Sequence, residues 1–188
     1  MSDHVQALCE RAGQGDLSAA SELATLYYER LFAYLRRLCG NDDDAADLTQ
    51  KTFFKAWVSL ASFQGRSSFP TWLHGIAHHV YVDWRRKSNP AEAQSDAWWE
   101  TCAADGPSPF EDAAEKEAAK QVYSLVERLD EGIRQVVHLH YYQGLSISET
   151  AEALSIATST VKYRLREALG FLRGNLAESG FPARQEAI

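Results

Sequence analysis

A chain of 188 residues with 45% hydrophobic and 24% charged content can build one large core or two small ones, which argues against disorder throughout. Its net charge of −7 argues against a protein that coats nucleic acid by bulk electrostatics. No initial apolar run of signal length and no apolar run of about 18 residues occurs, so a cytoplasmic protein without membrane insertion is expected.

Residues 4 to 39 read as helices, with Val5, Leu8 and Ala12, then Leu23, Leu26, Tyr27, Leu31, Tyr34, Leu35 and Leu38 at helical spacing. Gly13-Gln-Gly-Asp divides them into two. Gly40-Asn41 suits a helix C-terminus, and Asp42 to Asp44 place negative charge at the start of the next helix. There Leu48, Phe53, Ala56, Trp57 and Leu60 form a buried stripe, leaving Asp44, Asp47, Gln50 and Lys51 on an acidic, amide-bearing face. Phe63 to Phe69 is a loop by composition, because Gly65 permits positive φ and Ser67 or Ser68 can cap the next helix. Pro70 fits the first turn of that helix, which runs to about Lys87 and ends in Arg85-Arg86-Lys87.

From Ser88 the character changes to an Ala/Glu/Asp-rich stretch containing Asp-Gly-Pro-Ser-Pro, read as a flexible linker over 89–117. Between Glu92 and Glu117 eight acidic residues stand against one base, Lys116, so this stretch alone equals the net charge of the whole chain. Trp98-Trp99 within it suits either a contact surface or packing back onto a domain. Residues 120 to 176 are helical again. Val122, Leu125, Val126 and Leu129 make one stripe; Val136, Val137, Leu139 and Tyr141 belong to a second helix. Ser146 and Glu149 form a capping box that opens a short helix through Leu154. After a turn at Ser155 to Thr158 another helix begins, which is helix-turn-helix spacing. In it Val161, Leu165, Ala168, Leu169 and Leu172 share a core arc, opposite Ser159, Tyr163 and Arg166 with Thr160, Lys162 and Arg164 beside them. Hydroxyls, an aromatic ring and three bases suit phosphates and purine edges.

Cys9, Cys39 and Cys102 are widely spaced and odd in number, so buried thiols are expected rather than a zinc site or disulfides. His74 and His78 stand at i, i+4, but neither an HExxH glutamate nor a third ligand accompanies them, and no metal is expected. With no nucleophile–base order and no phosphate-cradling glycine loop, neither an enzyme nor a cofactor is expected. Phe69, Trp72, Tyr81 and Trp84 read individually as core, with Trp84 beside Arg85 and Arg86 the best candidate to stack a base.

DLTQKTFFKAW, followed by FxGRSSFxTWLxxIAxxxxxDxxRR, resembles region two of the bacterial extracytoplasmic-function (ECF) sigma factors, with order and spacing intact over about forty residues. LSISETAEALSIATSTVKYRLREAL resembles region four of the same family. The resemblance implies an all-α fold of two small helical domains, region two over 1–88 and region four over 118–178, joined by the acidic linker 89–117 and followed by a tail, 179–188. It implies a dissociable initiation subunit of RNA polymerase whose partners are core RNA polymerase, promoter DNA and an anti-sigma factor. Asp44, Asp47, Gln50 and Lys51 would face the polymerase clamp. Arg66, Ser67, Ser68, Phe69, His79, Trp84, Arg85, Arg86 and Lys87 would engage the minus-ten element and its displaced strand. Ser159, Thr160, Lys162, Tyr163, Arg164 and Arg166 would read the minus-thirty-five element. Lys51 stands where the family often has Glu, and His79 where it usually has Asn, which bears on the polymerase contact and on the preferred base.

A flexible coil of about 27 residues spans on the order of 30 Å, while the two promoter elements lie some 50 Å apart. Stretching it costs free energy, so the isolated chain is expected to bind promoters weakly and to bind tightly once polymerase holds both domains. The alternative reading is a two-domain helix-turn-helix regulator that recruits polymerase without replacing its sigma subunit. A third is a helical interaction protein without sequence preference.

Overall fold

The computed structural model describes residues 3–88 and 113–178, and every regular element among them is helical. Trp98, Trp99, Cys102 and most of the expected linker lie outside the described residues.

Helix α1 (Asp3–Gly13) turns into α2 (Leu17–Cys39) at the predicted glycine break. Asp16 caps α2 by accepting from the Ser18 and Ala19 amides, and Arg11 donates to the same carboxylate at 2.6 Å. These bonds hold its carboxyl below the usual carboxylate range, the Ala19 amide contributing most. Gly40 ends α2 in the left-handed region, φ 83°, where a side chain would be strained. Asn41 then caps α3 (Asp42–Leu60) through the Asp44 amide at 2.8 Å. Helix α4 (Phe69–Ser88) starts beside Ser68, whose hydroxyl accepts from the Thr71 amide as a cap.

The C-terminal half holds α5 (Ala113–Glu127), α6 (Glu131–Val137), a π-helical segment (His138–Tyr142), α7 (Ile147–Ala153) and α8 (Thr158–Glu178). Helix α5 begins ahead of the boundary expected at 118. AAEKEAAK is built from strong helix formers but lacks the apolar period that signals burial, so the pattern reads polar where the backbone is helical. Tyr141, grouped with Val136, Val137 and Leu139 on the second helix of this half, is 56% exposed. The wider π turn, closed by the Gln143 amide on the His138 carbonyl at 2.9 Å, takes it out of helical phase.

The two halves pack on one another. A single core runs from Leu8, Leu23, Leu35 and Leu48 through Phe69, Leu73 and Ala77 to Val136, Leu139, Ala153, Leu154 and Val161. Helix α4 crosses α7 at Gly75, where a Cβ would sit in ordinary contact, 3.6 Å from the Ala153 carbonyl oxygen. A smaller cluster of Val126, Leu129, Val137 and Ala168 ties α5, α6 and α8 together.

Candidate polymerase and promoter interfaces

On α3 the predicted division of faces holds: Leu48, Ala56 and Leu60 are buried, and Asp47, Gln50 and Lys51 are exposed. Asp44 is half-buried and accepts from the Asn41 side-chain amide at 2.6 Å. Asp47 pairs with Lys51 one turn along, so part of the acidic face is neutralised within the helix. Two residues missed in the sequence reading extend this arc. Phe54 is 69% and Val58 71% exposed. Steps of four, three and four from Asp47 put Lys51, Phe54 and Val58 on one line of the helix, a signal present in the spacing but overlooked in favour of Phe53 and Trp57.

The loop between α3 and α4 and the end of α4 carry the predicted strand-contacting set. Arg66, His79, Arg86 and Lys87 are exposed; Ser67, Ser68, Trp84 and Arg85 are half-buried. Phe69 is a correction: it is fully buried, its ring 5.2 Å from Tyr27, 6.1 Å from Phe63 and 5.8 Å from Trp72. Its place at the first position of α4 turns the ring inward, so it supports the loop and offers no face to a base. Trp84 leans on Tyr81 with ring centroids 5.9 Å apart, and the Tyr81 hydroxyl donates to the Leu38 carbonyl at 3.3 Å. His74 and His78, the pair considered for a metal, have separate surroundings. His74 donates through Nδ1 to the Pro70 carbonyl at 2.8 Å against Tyr34, while burial, neighbouring His79 and Arg164 push His78 down to about 4.

Two members of the strand-contacting set are occupied from the other half. The Ser68 and Thr71 hydroxyls, 2.7 Å apart and hydrogen-bonded to each other, lie 2.9 and 3.1 Å from Glu149 Oε1, so the pair and the carboxylate share one network. Arg85 forms an ion pair with Glu131 at the start of α6. Glu149 also closes the predicted capping box, its Oε2 accepting from the Ser146 amide at 3.0 Å and hydroxyl at 2.8 Å. With so many donors, chiefly the Ser146 amide, its carboxyl is held down to about 2. The sequence revealed the cap but not the partners across the interface.

Helices α7 and α8 form the helix-turn-helix. Along α8, Ser159, Lys162, Tyr163 and Arg166 are exposed and Thr160 is half-buried. Arg164 departs from its expected place, because its guanidinium donates to the Gly132 carbonyl at 3.2 Å and clips α8 to α6. Leu169, placed on the core arc, is 37% exposed. Among the described residues no helix is long and apolar enough to cross a membrane.

Residues 23–90 match the family description Sigma-70 region 2, and residues 119–172 match Sigma-70, region 4. The ECF RNA polymerase sigma factor SigW of Bacillus subtilis (strain 168) is 28% identical over 173 residues, covering 88% of this chain and 92% of that one. SigX of the same organism, also an ECF RNA polymerase sigma factor, is 31% identical over 154 residues, covering 80% and 79%. The solved structure of CnrH in complex with the cytosolic domain of CnrY superposes with a TM-score of 0.68 at 26% identity, covering 94% of this chain and 99% of that one. Two matched regions in the right order, on a fold shared along almost the whole length, place the chain in the ECF group of the sigma-70 family of RNA polymerase sigma factors.

Proposed function

We propose that this sigma factor docks on core polymerase through the α3 face of Asp44, Asp47, Gln50 and Lys51, reads the minus-thirty-five element with α8, and holds the opened minus-ten strand with the α3–α4 loop and the basic end of α4. The observation that carries this reading is the exposed arc of α8. A capped short helix and a tight turn present Ser159, Lys162, Tyr163 and Arg166 together at the start of a 21-residue helix, the geometry with which a recognition helix enters the major groove. Arg164 is left out of this set, because its guanidinium is half-buried and turned toward α6, where Nη1 donates to the Gly132 carbonyl.

The basic end of α4 suits the second contact. Opening duplex DNA forfeits roughly 1.4 kcal/mol of stacking per step, which must be recovered from contacts to the displaced strand. Arg66, Arg86 and Lys87 supply exposed cations, and the half-buried Trp84 supplies an aromatic edge beside them. Such a subunit works in the cytoplasm, where polymerase and chromosome are. An anti-sigma protein that covers these surfaces completes the reading, supported by the family and by the likeness to CnrH, solved with a bound protein domain.

Purified core polymerase supplemented with this chain is expected to start at one defined promoter, and a chain that fails to bind core would end the proposal. Arg166→Ala is expected to weaken duplex binding by about 1–3 kcal/mol and to relax preference at one base pair. Footprinting against a set of single-base promoter variants measures both, and unchanged affinity would remove α8 from the reading role.

A further inference from the structure

Helix α3 carries an apolar strip that the described residues leave open. Phe54 is 69% and Val58 71% exposed, and Trp57 beside them is half-buried. Single exposed apolar residues are common on any surface, but neighbours along one line of a helix make a patch. Phe53 is buried next to it, its ring stacked 6.4 Å from that of Tyr28 and 5.7 Å from that of Trp57. The strip therefore borders a fixed aromatic shelf, which the 41% exposed Tyr28 continues onto α2.

The charges around the strip are engaged within the chain. From Asp47 to the end of α3 the charged residues are Asp47, Lys51 and Lys55. Asp47 pairs with Lys51, and Lys55 with Asp83 of α4 at 3.7 Å, so each has a partner of opposite sign. We propose that Phe54 and Val58, seated on an apolar patch of core polymerase, anchor this sigma factor there, rather than the carboxylates of the same face. This rests on the reading that α3 docks on polymerase and adds to it the chemistry of the contact.

Position and charge identify the occupant. Phe54 and Val58 continue the line of Asp47 and Lys51, so a partner that reaches Gln50 and Lys51 extends over them. The strip stays open while the two halves share one core, so the helix-turn-helix half is not its cover. Apolar side chains between paired lysines offer little to a phosphate backbone, which sets DNA aside. Burying a phenyl ring and an isopropyl group stabilises a contact more than an exposed ion pair does, because water and salt already satisfy the charges. Lys51 stands where the family often has Glu, and its pairing with Asp47 removes steering charge from the face. The contact then forms without long-range attraction and holds by packing.

Equilibrium binding of the full-length chain to its core RNA polymerase tests this, at salt of about 0.1 and about 0.5 M, between which exposed ion pairs are screened. Wild-type affinity is expected to change less than about threefold across that range. Phe54→Ser combined with Val58→Ser is expected to weaken binding at least about tenfold at both salts, as loss of a central apolar anchor does. Both side chains face solvent, so the fold should survive, and a circular dichroism melt of the variant checks it. Phe54→Leu combined with Val58→Leu keeps the apolar surface and is expected to recover most of the loss. A wild-type affinity that falls more than about tenfold with salt overturns the anchor. So does a double serine variant that binds like wild type. Gln50→Arg, on the same face, separates the two levels. If it weakens binding and the serine pair does not, the anchor alone fails; if neither does, the α3 docking reading fails with it. Sedimentation of the free chain completes the test, because self-association abolished by the serine pair would assign the strip to a second copy and overturn the proposal.

Discussion

Lowering the pH from about 7.5 to 5 is expected to cost this protein about 2 kcal/mol of stability through His74 alone. Its ring is 3% exposed on the inner side of α4, edge-on to Tyr34 at 5.3 Å. Burial, which outweighs the favourable Pro70 hydrogen bond, pushes it down from 6.5 to about 4, and nearby Arg30 acts in the same direction. The folded pKa is therefore below the unfolded one. As pH falls through 6.5 the unfolded chain takes up a proton that the folded chain refuses, so stability declines until about pH 4, where both states are charged. A gap from 6.5 to about 4 corresponds to about 3 kcal/mol in full, at about 1.4 kcal/mol per unit.

His78 and His138 are pushed down mainly by burial as well and add to the decline. Asp16 and Glu149 do not contribute between pH 7.5 and 5. Their folded values are depressed below ordinary carboxylate values, so their support is lost only in stronger acid. Urea midpoints measured across this range check the expectation. His74→Leu should flatten the profile by its share, and a wild-type profile level from 7.5 to 5 would contradict the account.

Tyr34 carries the second large effect. It is fully buried in α2 at the centre of the N-terminal bundle, and burial pushes its phenol well above the ordinary range. Its hydroxyl has no hydrogen-bond partner among the described residues. Tyr34→Ala is expected to destabilise by about 3–5 kcal/mol, since a ring-sized cavity in a packed interior does not collapse. Tyr34→Phe is expected to cost nothing and to gain up to about 1 kcal/mol, because it removes a desolvated polar group while keeping the ring. The two substitutions separate packing from polarity in one denaturation series. A loss above about 1 kcal/mol on Tyr34→Phe would mean that the hydroxyl is bonded after all. As Tyr34 and His74 are in contact, their effects should not add.

Ser159, Lys162, Tyr163 and Arg166 are exposed on α8, while Ser68 and Arg85 at the two ends of α4 are engaged by Glu149 and Glu131 of the other half.

Much of this was readable without coordinates because it depends on neighbours in the chain. The Gly13 to Asp16 break, the Gly40-Asn41 junction, the Ser146–Glu149 box and the exposed arc of α8 depend on backbone φ, caps and a period of 3.6 residues, all local properties. What composition and period could not reveal was where side chains go once helices pack. Phe69 turns into the core, Arg164 reaches Gly132, and the π segment takes Tyr141 out of phase. The largest departure is the seam itself. Glu149 and Ser68 stand 81 positions apart, Arg85 and Glu131 46 apart, and such pairings are set by which apolar faces meet rather than by any spacing along the chain. Composition and periodicity determined two helical units and the chemistry of each face; only tertiary packing decided which faces of the two units meet.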